Sequence, residues 1–217
     1  MHPLAKYAQL AAARPRKKPA AYVTSTAYQF TTTSQTFSFT GLAAGNLAIL
    51  YVQNVDNAPA TPSGWNSITE ANWGGTGYHV GVFYKLLDST DISSGSVTGT
   101  NLEANGFGVI IGYSGATSAA GRVVADSTAT GSTLTVGGFA TAGNWVGNVY
   151  LIGDRDPSGT APASTGMTSR MSFGATFFGF SLWDILSPVT YVDNTAVVWT
   201  GFPTTFQQHG ILLELMA

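Results

Sequence analysis

The chain has 217 residues, of which 9% are charged, 12% are aromatic and 26 are glycine, and its formal net charge is −2. That length suffices to bury a full core, and low charge with abundant aromatics excludes a disordered chain for the bulk of the sequence. With no cysteine, a disulfide framework, a thiolate metal site and a cysteine nucleophile are excluded as well.

A free soluble domain carries about 25% charged residues, so the low value here implies a surface partly covered by neighbours. What charge there is lies unevenly. Lys6, Arg14, Arg16, Lys17 and Lys18 fall in the first 18 residues with no acid among them, giving an arm of +5. The rest has four basic groups against eleven acidic ones, −7, and the two parts sum to −2. Leu4, Tyr7, Ala8 and Ala11 recur at helical spacing, while Pro15 and Pro19 stop a helix from running through. Residues 1–20 therefore read as an extended or short-helical basic arm, suited to anchoring on an acidic neighbour. Nucleic acid is an unlikely partner, because five charges neutralise few phosphates and the acidic body opposes approach. The brief apolar part of the arm carries Gln9 and runs into basic residues where a signal-peptide cleavage site would lie. Runs such as LAILYV (47–52) fall far short of the ~20 residues that a membrane helix needs. The expectation is a protein without signal peptide, membrane segment or membrane partner.

Beyond the arm, residues 21–217 read as one all-β domain. A strand is expected over 22–30, then strands near 36–40, 46–54, 66–72, 78–87 and 107–114. A second series follows near 132–136, 145–152, 168–180, 190–199 and 209–216. The turns between them have the expected chemistry, as in Pro62-Ser63-Gly64, Asn105-Gly106 and Asp156-Pro157-Ser158-Gly159. Residues 47–52 are apolar on both faces, which predicts cover on both sides.

The two series echo one another. Thr36-Phe37-Ser38-Phe39 matches Thr133-Leu134-Thr135-Val136, and Gly45-Asn46-Leu47 matches Gly143-Asn144-Trp145. FYKLL (83–87) matches LWDIL (182–186), and GVIIGY (108–113) matches GILLEL (210–215). Two similar halves, about 34–115 and 131–216, thus supply equivalent strands. A half alone would expose an apolar face, and two halves facing each other bury both. The fold expected is a single jelly-roll-like antiparallel β-sandwich.

The series Gly45-Asn46-Leu47-Ala48-Ile49-Leu50-Tyr51-Val52, Thr61-Pro62-Ser63-Gly64-Trp65, Val82-Phe83-Tyr84-Lys85 and Gly108-Val109-Ile110-Ile111-Gly112-Tyr113-Ser114-Gly115 resembles jelly-roll modules of tailed-phage structural proteins and some bacterial surface proteins. The likeness covers roughly residues 36–115 and weakly 131–215, and Asn46 stands where that series commonly has an acid. It implies a virion component, made in a host cytoplasm: a capsid decoration, head-fibre or tail-associated subunit. It brings no catalytic residues.

Chemistry-bearing patterns are scarce. His2, His79 and His209 show no metal-ligand spacing, and no G-x-S-x-G elbow nominates a serine. Glu70, Glu103 and the aspartates lie in turn-like contexts that solvation explains. Asp154-Arg155-Asp156 reads as a loop ion pair, since two Asp around an Arg make a poor calcium cage. No cofactor or metal is expected, and no enzyme. In FGATFFGFSLW (173–183), read as one strand, aromatics fall on both faces. Phe173, Phe177, Phe178 and Phe180 are therefore the candidate subunit interface, and a closed homo-oligomer, a trimer by preference, is the simplest cover. The alternative function is a lectin-like carbohydrate-binding sandwich that stacks Trp65 or Trp73 on a sugar ring.

Overall fold

A computed structural model describes residues 19–73, 77–127, 133–136, 145–154, 167–174, 178–186, 197–200 and 208–217. Among these residues lie fourteen strands and one short helix. The first seven strands are β1 (Ala21–Gln29), β2 (Ser34–Ser38), β3 (Leu47–Asn54), β4 (Asn66–Trp73), β5 (Tyr78–Leu86), β6 (Ser96–Thr100) and β7 (Phe107–Ser114), with helix α1 (Ser89–Ser94) between β5 and β6. The second seven are β8 (Ser118–Ser127), β9 (Thr133–Val136), β10 (Trp145–Asp154), β11 (Thr168–Gly174), β12 (Gly179–Leu186), β13 (Val197–Thr200) and β14 (Gln208–Met216).

The strand orders reveal how the chain is built. One five-stranded sheet runs β1-β7-β3-β5-β4, and the other, read from its far end, runs β8-β14-β10-β12-β11. Adding seven to each strand number of the first gives the second. The two-stranded ribbons obey the same rule, with β2-β6 in one half and β9-β13 in the other. Equivalence extends to register. Asn54 stands opposite His79, and Asp154 stands opposite Gly179, both shifted by 100. It extends to irregularities too: the ladder slips between Ser67 and Thr69 in β4, and between Ser169 and Met171 in β11.

All pairings in both sheets are antiparallel. The expected sandwich is therefore present as packed antiparallel sheets, with more layers than expected. Each half is itself two-layered, a five-stranded sheet with a ribbon on its outer face. The central core lies between the two large sheets and draws Leu47, Ile49, Tyr51, Val109 and Ile111 from one half, and Val149, Leu151, Leu182, Ile211 and Leu213 from the other. An outer core, with Phe37 and Phe39, lies beneath β2-β6 against Ala48, Leu50, Val52 and Ile110. A second, with Leu134 and Val136, lies beneath β9 against Tyr150, Ile152 and Leu212. The both-sided apolarity of residues 47–52 is accounted for: odd positions enter the central core and even positions the outer one.

Four local readings change. Residues 168–180 are not one strand: β11 and β12 form an antiparallel pair with Phe173 opposite Phe180. Strands β6 and β8 were not expected, and neither was α1. The helix is announced by a capping box, in which Asp88 accepts from the backbone N–H of Thr90 and Asp91 while Asp91 accepts from the N–H of Asp88. Gly95, at φ 72°, closes it. Finally, the ladders equate Leu47 with Gly147 rather than Trp145, since β10 enters its sheet through an irregularity between Trp145 and Gly147, and Phe83 with Trp183 rather than Leu182.

The outer cores depend on two equivalent glycines. A Cβ on Gly108 would lie 2.7 Å from the Phe37 ring, and one on Gly210 would lie 2.5 Å from the Val136 side chain. Both ribbons settle onto their sheets because these positions lack a side chain. Gly108→Ala and Gly210→Ala are each expected to lower stability by about 1–3 kcal/mol through overpacking, read as a fall in the midpoint of denaturant unfolding. An unchanged midpoint would show that the ribbons are loosely seated.

Candidate functional site

The residues nominated from sequence scatter. Lys6, Arg14, Arg16, Lys17 and Lys18 lie outside the described residues, as does Phe177. Trp73 ends β4 opposite Tyr78, and its side chain is outside the described set. Trp65 is buried under the first ribbon, stacked on Phe39 at a centroid distance of 6.4 Å, so its ring has no free face to offer a sugar. Gly64, at φ 76°, turns the chain so that Trp65 folds back inward.

Phe178 and Phe180 are fully buried by the chain itself, in the central core. Phe180 packs 4.7 Å from Tyr51, and Phe178 stands edge-on to Tyr78 at 5.7 Å. They have no surface left for a subunit contact. As one strand, 173–183 would put aromatics on both faces, whereas the β11–β12 pairing aims these rings at the opposite sheet. Phe173, half-buried on the edge strand β11, packs 5.6 Å from Phe107.

The structure instead draws attention to polar groups set into the central seam, where residues of the first half meet those of the second. Near one end, the Tyr51 hydroxyl donates to Gln53 Oε1 at 2.6 Å and lies 2.6 Å from His209 Nε2. One hydroxyl has one proton, and with that proton directed at Gln53 Oε1 the imidazole N–H must be on Nε2, donating to the Tyr51 oxygen. The two ring planes are almost parallel, 4° apart. Gly153, opposite His209 in the ladder, makes this possible: any Cβ there would run into the imidazole. All three polar side chains are buried. Burial lowers the His209 pKa to about 3. Burial first, and then the charge of Asp154, push the Tyr51 phenol well above its ordinary range. Both groups are therefore neutral and locked at physiological pH. They can neither give up nor accept a proton there, so the pair serves as a hydrogen-bonded weld.

Near the other end, Arg170 Nε donates to Asp184 Oδ2 at 2.8 Å, and the Tyr113 hydroxyl donates to the same oxygen at 3.2 Å. The guanidinium lies 4.9 Å over the ring of Tyr22, which meets Tyr113 edge-on at 5.9 Å. Asp184 is only 1% exposed and Arg170 27%. Arg170 occupies the irregular position of β11, matching Ile68 in β4. Burial, then the Asp184 carboxylate, raise the Tyr113 phenol well above its usual value. Here too the arrangement joins halves, Tyr22 and Tyr113 from the first to Arg170 and Asp184 from the second.

In the sequence His209 stands out only by lacking a metal-ligand spacing, and Tyr51, Gln53, Tyr113 and Asp184 do not stand out at all. No local pattern marks them, because their partners lie 158 residues away for Tyr51 and His209 and 71 away for Tyr113 and Asp184. Asp154 is buried at the end of β10, and Arg155 and Asp156 lie outside the described residues. Among the described residues, no three His, Asp or Glu gather as a metal site, and no helix is long and apolar enough to cross a membrane. Set against protein families, curated proteins and solved structures, the chain finds no match.

Two outcomes follow from the welds. His209 titrates at about 3 when folded and near 6.5 when unfolded. Its contribution is complete above pH 6.5 and is lost as pH falls towards 3, at about 1.4 kcal/mol per pH unit. His209→Phe, which installs the residue found at the equivalent Phe107, is expected to remove that slope from the pH profile of unfolding free energy. An unchanged slope would place the acid sensitivity in the carboxylates. Arg170→Ile strands the buried Asp184 charge and is expected to cost about 3 kcal/mol. Adding Asp184→Leu should recover part of that loss in the same denaturant assay, and additive losses would contradict the weld.

Proposed function

We propose that this chain is a non-enzymatic structural subunit that works by assembly: a virion component of the capsid-decoration, head-fibre or tail-associated kind, anchored by its basic arm. The observation that carries this reading is what five ionisable groups in the central seam do. Tyr51, His209, Tyr113, Asp184 and Arg170 bind one half of the body to the other, making a rigid block rather than a reactive cleft. The strand order β1-β7-β3-β5, with β2-β6 above it and the same winding in the second half, supports a jelly-roll ancestry for each half. The +5 arm on a −7 body supplies opposite charges with which one copy can hold an acidic neighbour.

The test is the solution mass, by light scattering, of the full chain and of the chain lacking residues 1–20. A closed oligomer from the full chain is the expected result. Loss of the oligomer on deletion would make the arm the glue between subunits, and its survival would leave the arm for attachment to a larger particle. Monomers in both cases, together with binding to a glycan panel, would overturn the assembly reading in favour of the lectin-like one.

A further inference from the structure

The four edges of the two large sheets are β1, β4, β8 and β11. Proteins guard such edges with charge, proline or irregular pairing, because an unguarded strand is a template for another. Three of the four have a charged residue: Glu70 in β4, Arg122 and Asp126 in β8, Arg170 in β11. Strand β1, AYVTSTAYQ, has neither charge nor proline over nine residues, and every one of them is at least partly exposed. Its pairing with β7 occupies one edge, and no other described strand takes the second.

We propose that this second edge pairs with β1 of a second copy of the same chain, antiparallel, about a two-fold axis at Ser25. The strand is self-complementary around that residue. Such an axis places Ser25 opposite its own copy, Thr24 opposite Thr26, and Val23 opposite Ala27. Faces agree as well. Ser25 pairs with Ile111 and Ala27 with Val109, both central-core residues, whereas Thr26 pairs with the outer-core Ile110. A two-fold perpendicular to the sheet keeps each face with its like, so threonine meets threonine on the outer side and serine meets serine on the inner. Thr–Thr and Thr–Ser pairs are among the favourable cross-strand neighbours.

The irregularity between Tyr22 and Thr24 limits the pairing to a short central stretch. An isologous contact of this kind uses up the edge of both copies and closes on itself. The product is a ten-stranded sheet across two molecules, and the assembly has two-fold or dihedral symmetry instead of the three-fold ring that sequence alone favoured. This inference deepens the assembly reading and rests on it.

Thr24→Lys with Thr26→Lys sets lysine against lysine twice across the axis and is expected to weaken self-association at least tenfold, read by sedimentation equilibrium. Thr24→Glu with Thr26→Lys sets opposite charges against each other and should restore it, which separates a lost interface from a lost fold. In this cysteine-free chain, Ser25→Cys should give one disulfide-linked dimer on mild oxidation, since facing Cβ atoms lie about 4.5–5.5 Å apart, close to disulfide reach. Ala44→Cys, exposed in the turn before β3, should not. An oligomer untouched by the two lysines would overturn the β1 pairing while leaving assembly intact. An oligomer lost on removal of residues 1–20 would assign the contact to the arm instead. A wild-type monomer would overturn both.

Discussion

The constraint on which this molecule depends is that its middle strands are apolar on both faces and must be covered twice. Strand β3 is buried along its whole length, as is β7 up to its last residue. Burying each such Leu, Ile or Phe contributes about 1.5–3 kcal/mol, and leaving either face open would forfeit a row of them. One half meets the demand on its outer side with its own ribbon. It cannot meet it on the inner side, and that face is closed only by the other half. The stack of ribbon, sheet, sheet and ribbon is thus the smallest arrangement that a duplicated seven-stranded unit can reach without leaving a sheet face bare.

An apolar seam between two sheets is strong but poorly directional, because flat hydrophobic faces tolerate sliding and rotation. The polar groups at its ends remove that freedom. Tyr51 and His209 satisfy each other in one alignment only, and the same holds for Tyr113 and Arg170 around Asp184. Any slip would leave buried donors and acceptors unpaired, at about 1–3 kcal/mol each. Apolar replacements would bury as much area, so these groups act less as added stability than as a selector of one alignment.

Much of the architecture was legible because it rests on local signals. Alternation and both-sided apolarity located β3, β5, β7, β10 and β14, and the echo between Phe37 and Leu134, or Gly108 and Gly210, disclosed the duplication. Strand β8 escaped because its small residues and Arg122 hide the alternation that its counterpart β1 shows more plainly. The layering escaped because nothing local says whether two halves share one core or keep two more of their own. The seam residues were illegible for the same reason. A histidine in a strand has no property that distinguishes a surface position from one welded to a tyrosine 158 residues away. The faces of Phe178 and Phe180 depended on a chain reversal that periodicity alone cannot place.

The two welds also show how the halves have diverged. Across the seam, strand β1 lies beside β11 as β4 lies beside β8, the same pair with the halves exchanged. The counterpart of Tyr51–His209 is Leu151–Phe107, and that of Tyr113–Asp184 is Leu215–Tyr84, both within or packed against the apolar core. Arg170 is matched by Ile68. The polar contacts therefore occupy one of two related places each, and Gly153, which gives the imidazole its room, stands where the first half has Gln53. A symmetric seam would let one half pair equally well with an identical half from another chain, the route by which duplicated domains swap. Polar groups on one side only make the heterotypic pairing the one that joins Tyr51 to His209 and Tyr113 to Asp184. Duplication supplied the shape of the interface, and divergence at a few buried positions made it specific to the two halves of one chain.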